Sequence, residues 1–124
     1  MKKILIIDDE KDFAFFLKQN LELGGKYGVV VCNNGKDGIA AAQRQRPDLI
    51  LLDVIMPQMS GFEVLKELKD SPDTTSIPVI MLTAVDTHEA KERALGLYNE
   101  DYIVKPVAIS ELRAKIDGVF SRKY

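Results

Sequence analysis

Acidic, hydroxyl and basic side chains end four apolar runs of this 124-residue chain. They are Asp8 and Asp9 after residues 4–7, Asp53 after residues 49–52, Thr83 after residues 79–82, and Lys105 after residues 102–104. Neighbouring carboxylates repel one another unless a cation compensates their charge, and an all-oxygen ligand set favours Mg²⁺ or Mn²⁺ over zinc. A carboxylate can then attack a phosphoryl group, whose charge a metal, an ammonium and a hydroxyl stabilise. The residue types therefore favour phosphoryl transfer, with Asp53 as the nucleophile.

The apolar runs alternate with segments of helical character, which predicts an α/β domain with a parallel sheet covered by helices on both faces. The five predicted strands are residues 4–7, 29–31, 49–53, 79–82 and 102–104. The carboxyl ends of parallel strands share one edge of the sheet, where ligands bind at the switch in strand order. We therefore expect all five side chains named above to converge in one pocket.

Local signals place the predicted helices. Gly24-Gly25 suit a left-handed end to the first helix, Asn34 with Asp37 suits a cap for a second helix that runs through Gln45, and Ser60 with Glu63 has the form of a capping box. A fourth helix is predicted over residues 87–97. The predicted apolar stripes are Phe13, Phe16, Leu17 and Leu21 in the first helix, Phe62, Leu65 and Leu68 in the third, and Ile109, Leu112, Ile116 and Phe120 in the last.

Length and composition describe one globular domain spanning residues 1–124. A net charge of −2 gives no reason to expect binding to nucleic acid or to an anionic membrane. The single cysteine, Cys32, cannot form an internal disulfide, which suits a reducing compartment, and the four apolar residues between Lys2-Lys3 and Asp8 are too few for a signal peptide or membrane span. We therefore expect a cytoplasmic protein.

Over essentially its whole length the chain resembles the receiver domain of two-component response regulators, and in particular the chemotaxis receivers. The motifs that carry the resemblance are Asp8-Asp9, Asp53 followed by Met56-Pro57 and Ser60-Gly61, Thr83-Ala84, and Asp101-Tyr102 leading to Lys105-Pro106. The resemblance implies a flavodoxin-like, doubly wound (βα)5 fold with strand order 2-1-3-4-5.

The resemblance also implies roles for single residues. Asp53 would accept a phosphoryl group from a histidine kinase or a phosphotransfer protein in a Mg²⁺-dependent reaction, with Mn²⁺ as an alternative ion. Asp9 and Asp53 would bind the metal directly, Asp8 would act mostly through water, and the main-chain carbonyl of Ile55 would be a further ligand. Thr83 and Lys105 would bind the phosphoryl oxygens.

Signal output is implied at another surface. Tyr102 would turn inward as Thr83 moves toward the phosphoryl group, and the Lys105–Pro106 peptide would be cis. The fourth helix, fifth strand and fifth helix would control a partner protein or output domain, and a homodimer through this surface stays open. Tyr98-Asn99 stand where the family commonly has Gly-Ala, which leaves the shape of this surface open. Because the chain stops after the fifth helix, we expect no effector domain, in either a stand-alone regulator or a piece of a larger one.

Three other functions compete with this interpretation. A magnesium phosphatase would need a second acid two residues after Asp53, but Ile55 occupies that position. A nucleotide or flavin binder would need a Gly-rich loop after the first strand, but the chain is acidic there. A receiver-like module that has lost phosphorylation typically has replaced acidic or lysine positions, and none of these is replaced here. The expected protein is a phosphoacceptor signalling domain and not an enzyme, apart from promoting its own phosphorylation and dephosphorylation.

Two neighbouring features receive more limited interpretations. Ile55 and Val85, each two residues past a key position, are expected to flank the pocket, and we hypothesise that they hinder the attack of water on the acyl phosphate. Glu10 is interpreted as a charge in the first turn of a helix, where the helix dipole favours it.

Overall fold

A computed structural model describes residues 1–84, 92 and 101–122 of the chain. Five parallel strands form one sheet in the order β2-β1-β3-β4-β5, which confirms the expected fold. The strands are β1 (Lys2–Ile7), β2 (Tyr27–Cys32), β3 (Leu49–Leu52), β4 (Val79–Thr83) and β5 (Asp101–Val104).

Four helices are described, three between the first four strands and one after β5. They are α1 (Lys11–Glu22), α2 (Gly35–Gln45), α3 (Gly61–Asp70) and a C-terminal helix (Ile109–Phe120). The predicted fourth helix at residues 87–97, together with Val85, Tyr98 and Asn99, lies outside the described residues. In the part of the chain that the structure describes, no helix combines the length and the apolar character needed to cross a membrane.

The sheet separates two apolar cores. Alternate residues of β1 face opposite sides, so that Leu5 and Ile7 join the core beneath α2 and α3, while Ile4 and Ile6 join the core beneath α1 and the C-terminal helix. Residues 49–52 of β3 are all buried, because helices cover both faces of this central strand. The unbroken apolar run that ends at Asp53 thus reflects burial on two sides.

The predicted helix ends are confirmed. The Asn34 side chain accepts a hydrogen bond from the Asp37 amide, both halves of the Ser60–Glu63 capping box are present, and Gly24 and Gly25 have positive φ angles of 87° and 71°.

The predicted apolar stripe of α1 is wrong at one position. Phe16 is 48% exposed, whereas Ala14, Leu17 and Leu21 form the buried face and Phe13 packs at its edge. Phe16 follows Ala14 by two residues, a spacing that places it on a different side of the helix from the stripe.

Candidate functional site

Main-chain hydrogen bonds extend the sheet one residue past several strand ends and so fix the residues that follow. The Asp8 amide donates to the Cys32 carbonyl (3.0 Å), and the Asp53 amide donates to the Ile7 carbonyl (3.0 Å). Beyond β4 and β5, the Lys105 amide donates to the Thr83 carbonyl (2.8 Å). The polar residues at the strand ends therefore stand on rigid backbone along one edge of the sheet.

Asp53 is a buried carboxylate at the centre of this edge, only 4% exposed. Burial raises the pKa of Asp53, since a charged group loses hydration there. The positive charge of Lys105, a hydrogen bond with the Thr83 side chain, and hydrogen bonds from the main-chain amides of Ile55 and Val54 oppose this rise. These groups favour the ionised form that a nucleophilic carboxylate requires.

Asp8 is the second buried acid, at 3% exposure. Its Oδ1 accepts a hydrogen bond from the Glu10 amide (2.9 Å), and its Oδ2 accepts one from Lys105 Nζ (3.0 Å). Burial, with a further contribution from the negative charge of Asp53, raises the pKa of Asp8 from 3.8 to about 6. Two ionised acids buried side by side at this edge destabilise the fold electrostatically, and a nearby cation would reduce this destabilisation.

Lys105 supplies the positive charge among these acids. Its Nζ lies 2.9 Å from Glu10 Oε1 and 3.0 Å from Asp8 Oδ2, but 3.7 Å from Asp53 Oδ2. The same Nζ lies 4.2 Å from the centroid of the Phe13 ring, within the range of a cation–π contact. Burial opposes the charged form of Lys105, yet the hydrogen bonds to Glu10 and Asp8 outweigh it and the pKa of Lys105 is raised. Lys105 is therefore held as a cation.

The turn after β3 depends on a glycine. The Gly61 amide donates to the Val54 carbonyl (2.8 Å), and a Cβ atom at Gly61 would overlap the main-chain carbonyl of Asp53. Only a residue without a side chain lets the start of α3 approach the end of β3 this closely. Gly61 thereby fixes the backbone that carries the central carboxylate.

A cleft of about 320 Å³ lies at the carboxyl edge of the sheet. The lining residues are Asp9, Glu10, Asp53, Ile55, Thr83 and Ala84. A larger cavity, of about 510 Å³, lies at the opposite edge, near Lys2, Asp48 and Phe120. The smaller cleft is the candidate site because Asp53 and Thr83 line it, while Asp8 and Lys105 contact its lining residues Glu10 and Asp53.

The structure brings together the residues that the sequence placed at the strand ends. Carboxylate oxygens of Asp8, Glu10 and Asp53 lie within 4.8 Å of one another, and Asp9 lines the same cleft. Ile55, which is 62% exposed, also lines the cleft. Val85, the other residue expected to flank the pocket, lies outside the described residues.

Tyr102 and the Lys105–Pro106 peptide lie on the β5 side. Tyr102 is half-buried and packs against the core beneath α2 and α3, and the Lys105–Pro106 peptide is cis.

Sequence reasoning missed the part played by Glu10. The sequence predicts a helix-start charge, and Glu10 does occupy the N-cap position of α1, but its carboxylate also contacts Lys105 and joins the acidic cluster. The signal was present in the sequence, since Glu10 is the third consecutive acid after β1. What the sequence could not show is that Lys105, 95 residues away, extends toward α1.

A family model, curated relatives and solved structures all point to the same family for this chain. Residues 4–117 match the model of the response regulator receiver domain. The chain is 37% identical over 121 residues to the alkaline phosphatase synthesis transcriptional regulatory protein PhoP of Bacillus subtilis, which covers 98% of this chain and 49% of the relative. It is also 37% identical over 122 residues to the transcriptional regulatory protein PcoR of Escherichia coli, covering 98% and 53%. The chain thus spans about half the length of the curated relatives it matches.

Solved structures with this fold cover nearly the whole chain. A two-component response regulator from Clostridium difficile superposes with a TM-score of 0.92 at 29% identity, covering 98% of both chains. The chemotaxis protein CheY4 of Vibrio cholerae superposes with a TM-score of 0.89 at 29% identity, covering 96% of this chain and 98% of the other.

Proposed function

The chain belongs to the response regulator receiver family of two-component signalling, and from that premise we propose that Asp53 accepts a phosphoryl group. The donor is a histidine kinase or a phosphotransfer protein. The observation that carries the proposal is the position of Asp53, a 4%-exposed carboxylate in a cleft that Thr83 also lines, with the Lys105 ammonium 3.7 Å from its Oδ2. The function proposed is that of a phosphoacceptor in a signalling family, not that of a classical enzyme, and it extends only to the chain's own phosphorylation and dephosphorylation.

In the proposed reaction, a carboxylate oxygen of Asp53 attacks the phosphorus of the donor. A bond from oxygen to phosphorus forms, the bond from phosphorus to the donor breaks, and the donor leaves with the electron pair, so that the product is an acyl phosphate. The hydrogen bonds from Thr83 and from the amides of Ile55 and Val54 orient the carboxylate and favour its ionised form. Burial of Asp53 limits the access of bulk water to the reacting oxygen.

Lys105 and Thr83 are proposed to bind the phosphoryl oxygens. The Lys105 ammonium lies 3.7 Å from Asp53 Oδ2, so a small movement of a flexible side chain brings it to a phosphoryl oxygen beside that carboxylate. Thr83 is fully buried, and its side chain already contacts Asp53. Both groups therefore stand where negative charge increases during the reaction.

The residues present also fit a divalent cation. Asp8 and Asp53 are buried acids whose pKa values are raised, with Glu10 nearby, and all of them offer the oxygen ligands that Mg²⁺ and Mn²⁺ prefer. We assign Asp8, Asp9, Asp53 and the main-chain carbonyl of Ile55 to hold Mg²⁺, with Mn²⁺ as the alternative. When bound, the ion compensates the carboxylates and stabilises charge on the phosphoryl group.

The proposed output runs from Thr83 to Tyr102 and the neighbouring surface. A phosphoryl group adds a charge of roughly −1.5 to −2 beside Thr83 and attracts its hydroxyl. This movement of Thr83 is proposed to let Tyr102 turn inward. β5 and the C-terminal helix carry this surface in the described structure, joined by the ion pair of Lys115 with Asp101 (3.0 Å). We propose that an output domain, a partner protein or a second copy docks here, in the cytoplasm.

Intact-mass measurement after incubation with acetyl phosphate tests the proposal. We expect the wild-type chain to gain one phosphoryl group in the presence of Mg²⁺, and Asp53→Asn to gain none. Asp48→Asn is the matched control, because it makes the same chemical change in an exposed acid before β3, at the opposite edge of the sheet. Absence of any gain at Mg²⁺ concentrations where binding is demonstrated would favour an interaction module that works without phosphorylation.

A further inference from the structure

The contacts of Lys105 hold its ammonium away from Asp53, the carboxylate that it is proposed to assist. Its shortest contacts are with Glu10 (2.9 Å) and Asp8 (3.0 Å), and both are hydrogen bonds, whereas its contact with Asp53 is longer at 3.7 Å. The ring of Phe13 in α1 lies 4.2 Å from the same ammonium. Glu10 and Phe13 both lie at the start of α1, so these two contacts hold the Lys105 side chain close to that helix.

An ammonium has three hydrogen-bond donors, and two of them are used by acids other than Asp53. Asp8 is buried and belongs to the proposed metal site, whereas Glu10 is 61% exposed and contributes its carboxylate from the rim of the cleft. Glu10 is thus the partner of Lys105 that lies outside the proposed reaction, and its negative charge competes with a phosphoryl group for the same ammonium.

We propose that Glu10 is a positioning residue that holds Lys105 toward α1 and thereby slows phosphorylation of Asp53. The inference rests on the proposed function and adds to it a residue that sets the rate. To hydrogen-bond a phosphoryl group on Asp53, Lys105 must move toward it against the attraction of Glu10. Removing the charge of Glu10 weakens this competing contact but leaves the Asp8 and Phe13 contacts in place.

Glu10→Gln tests this competition, because glutamine keeps the size of the side chain and one oxygen acceptor. Glu10 is more than half exposed, so solvent screens the ion pair, and we expect the rate of phosphorylation by acetyl phosphate to rise about two- to fivefold. Asp12→Asn is the matched control. Asp12 is an exposed acid in the first turn of the same helix, and its neutralisation changes the net charge of the chain by the same amount.

A Mg²⁺ titration of the same rate distinguishes two roles of Glu10. If Glu10 acts through Lys105, the Gln variant reacts faster without needing more Mg²⁺ for its half-maximal rate. A slower variant that needs more Mg²⁺ would assign Glu10 to the metal and overturn the inference. So would a rate equal to that of Asp12→Asn.

A double-mutant cycle on unfolding, with Glu10→Gln and Lys105→Met in EDTA, measures the contact without any phosphorylation. We expect the unfolding constant to show a coupling of about two- to fivefold between the two positions, and none between Asp12 and Lys105. Independent effects of Glu10→Gln and Lys105→Met would overturn the inference. If the cycle shows the coupling but the wild-type chain gains no phosphoryl group, the proposed function is refuted while the contact between Glu10 and Lys105 stands.

Discussion

Asp8→Asn is expected to stabilise the metal-free protein at neutral pH. The wild-type carboxylate is buried, and its pKa is raised to about 6, chiefly because burial disfavours its charge. Asparagine removes the charge, keeps the size of the side chain, and retains an oxygen that can accept the hydrogen bond from the Glu10 amide. The variant therefore lacks the electrostatic cost that the wild-type chain has at this position.

The size and the pH range of the effect follow from linkage. The pKa of Asp8 in the folded state exceeds its ordinary value of 3.8 by about two units, which corresponds to roughly 3 kcal/mol as an upper limit. Between these two pKa values the folded state binds more protons than the unfolded state, so this contribution to stability is lost as the pH rises. The gain from Asp8→Asn should be small at about pH 4 and largest above about pH 7.

Urea unfolding followed by circular dichroism in EDTA measures this difference. The stabilisation by Asp8→Asn relative to wild type should increase by about 1–3 kcal/mol between the two pH values, whereas Asp12→Asn, at an exposed site, should show no such increase. Added Mg²⁺ should narrow the gap, since a bound cation stabilises the ionised wild type. A variant less stable than wild type at neutral pH in EDTA would refute the electrostatic account of Asp8.

Two further predictions concern the segment from the end of β3 to the start of α3. Gly61→Ala should destabilise the fold by more than about 2 kcal/mol in urea unfolding, because the added Cβ would overlap the Asp53 carbonyl. Gly118→Ala is the control and should be neutral or stabilising, since its Cβ would meet open space within a helix. Equal effects of the two substitutions would contradict the close approach of α3 to β3. Ile55→Asn, at an exposed apolar side chain lining the cleft, should speed the loss of phosphate several-fold if Ile55 hinders water; an unchanged half-life by intact mass would remove that role.

Sequence reasoning predicted the fold and most residues of the cleft for a simple physical reason. Residues 49–52 are apolar on both sides because helices cover both faces of β3, and this continuous pattern already indicates a central parallel strand. Once the strands are parallel, their carboxyl ends share an edge, so Asp8, Asp53 and Thr83 must lie close together. Neither step needs the position of any side chain.

Side-chain directions are what the sequence could not supply. Lys105 lies beside the predicted acids, yet its shortest contact is with Glu10, because its long flexible side chain also reaches an exposed carboxylate at the start of α1. The spacing of the apolar residues in α1 suits either of two overlapping helix faces, and where β2 and the C-terminal helix pack decides that Phe16 is exposed. Both outcomes depend on tertiary contacts and not on local spacing.

The most direct test of the central claim is to locate the phosphoryl group within the chain. Acyl phosphates are reduced by borohydride, so treatment after incubation with acetyl phosphate and Mg²⁺ converts the modified acid into an alcohol that peptide mass mapping can identify. We predict modification at Asp53 alone, and its loss when Mg²⁺ is removed. Modification at Asp8, Asp9 or Glu10 instead, or at no acid of the chain, would contradict the assignment of Asp53 as the phosphoryl acceptor.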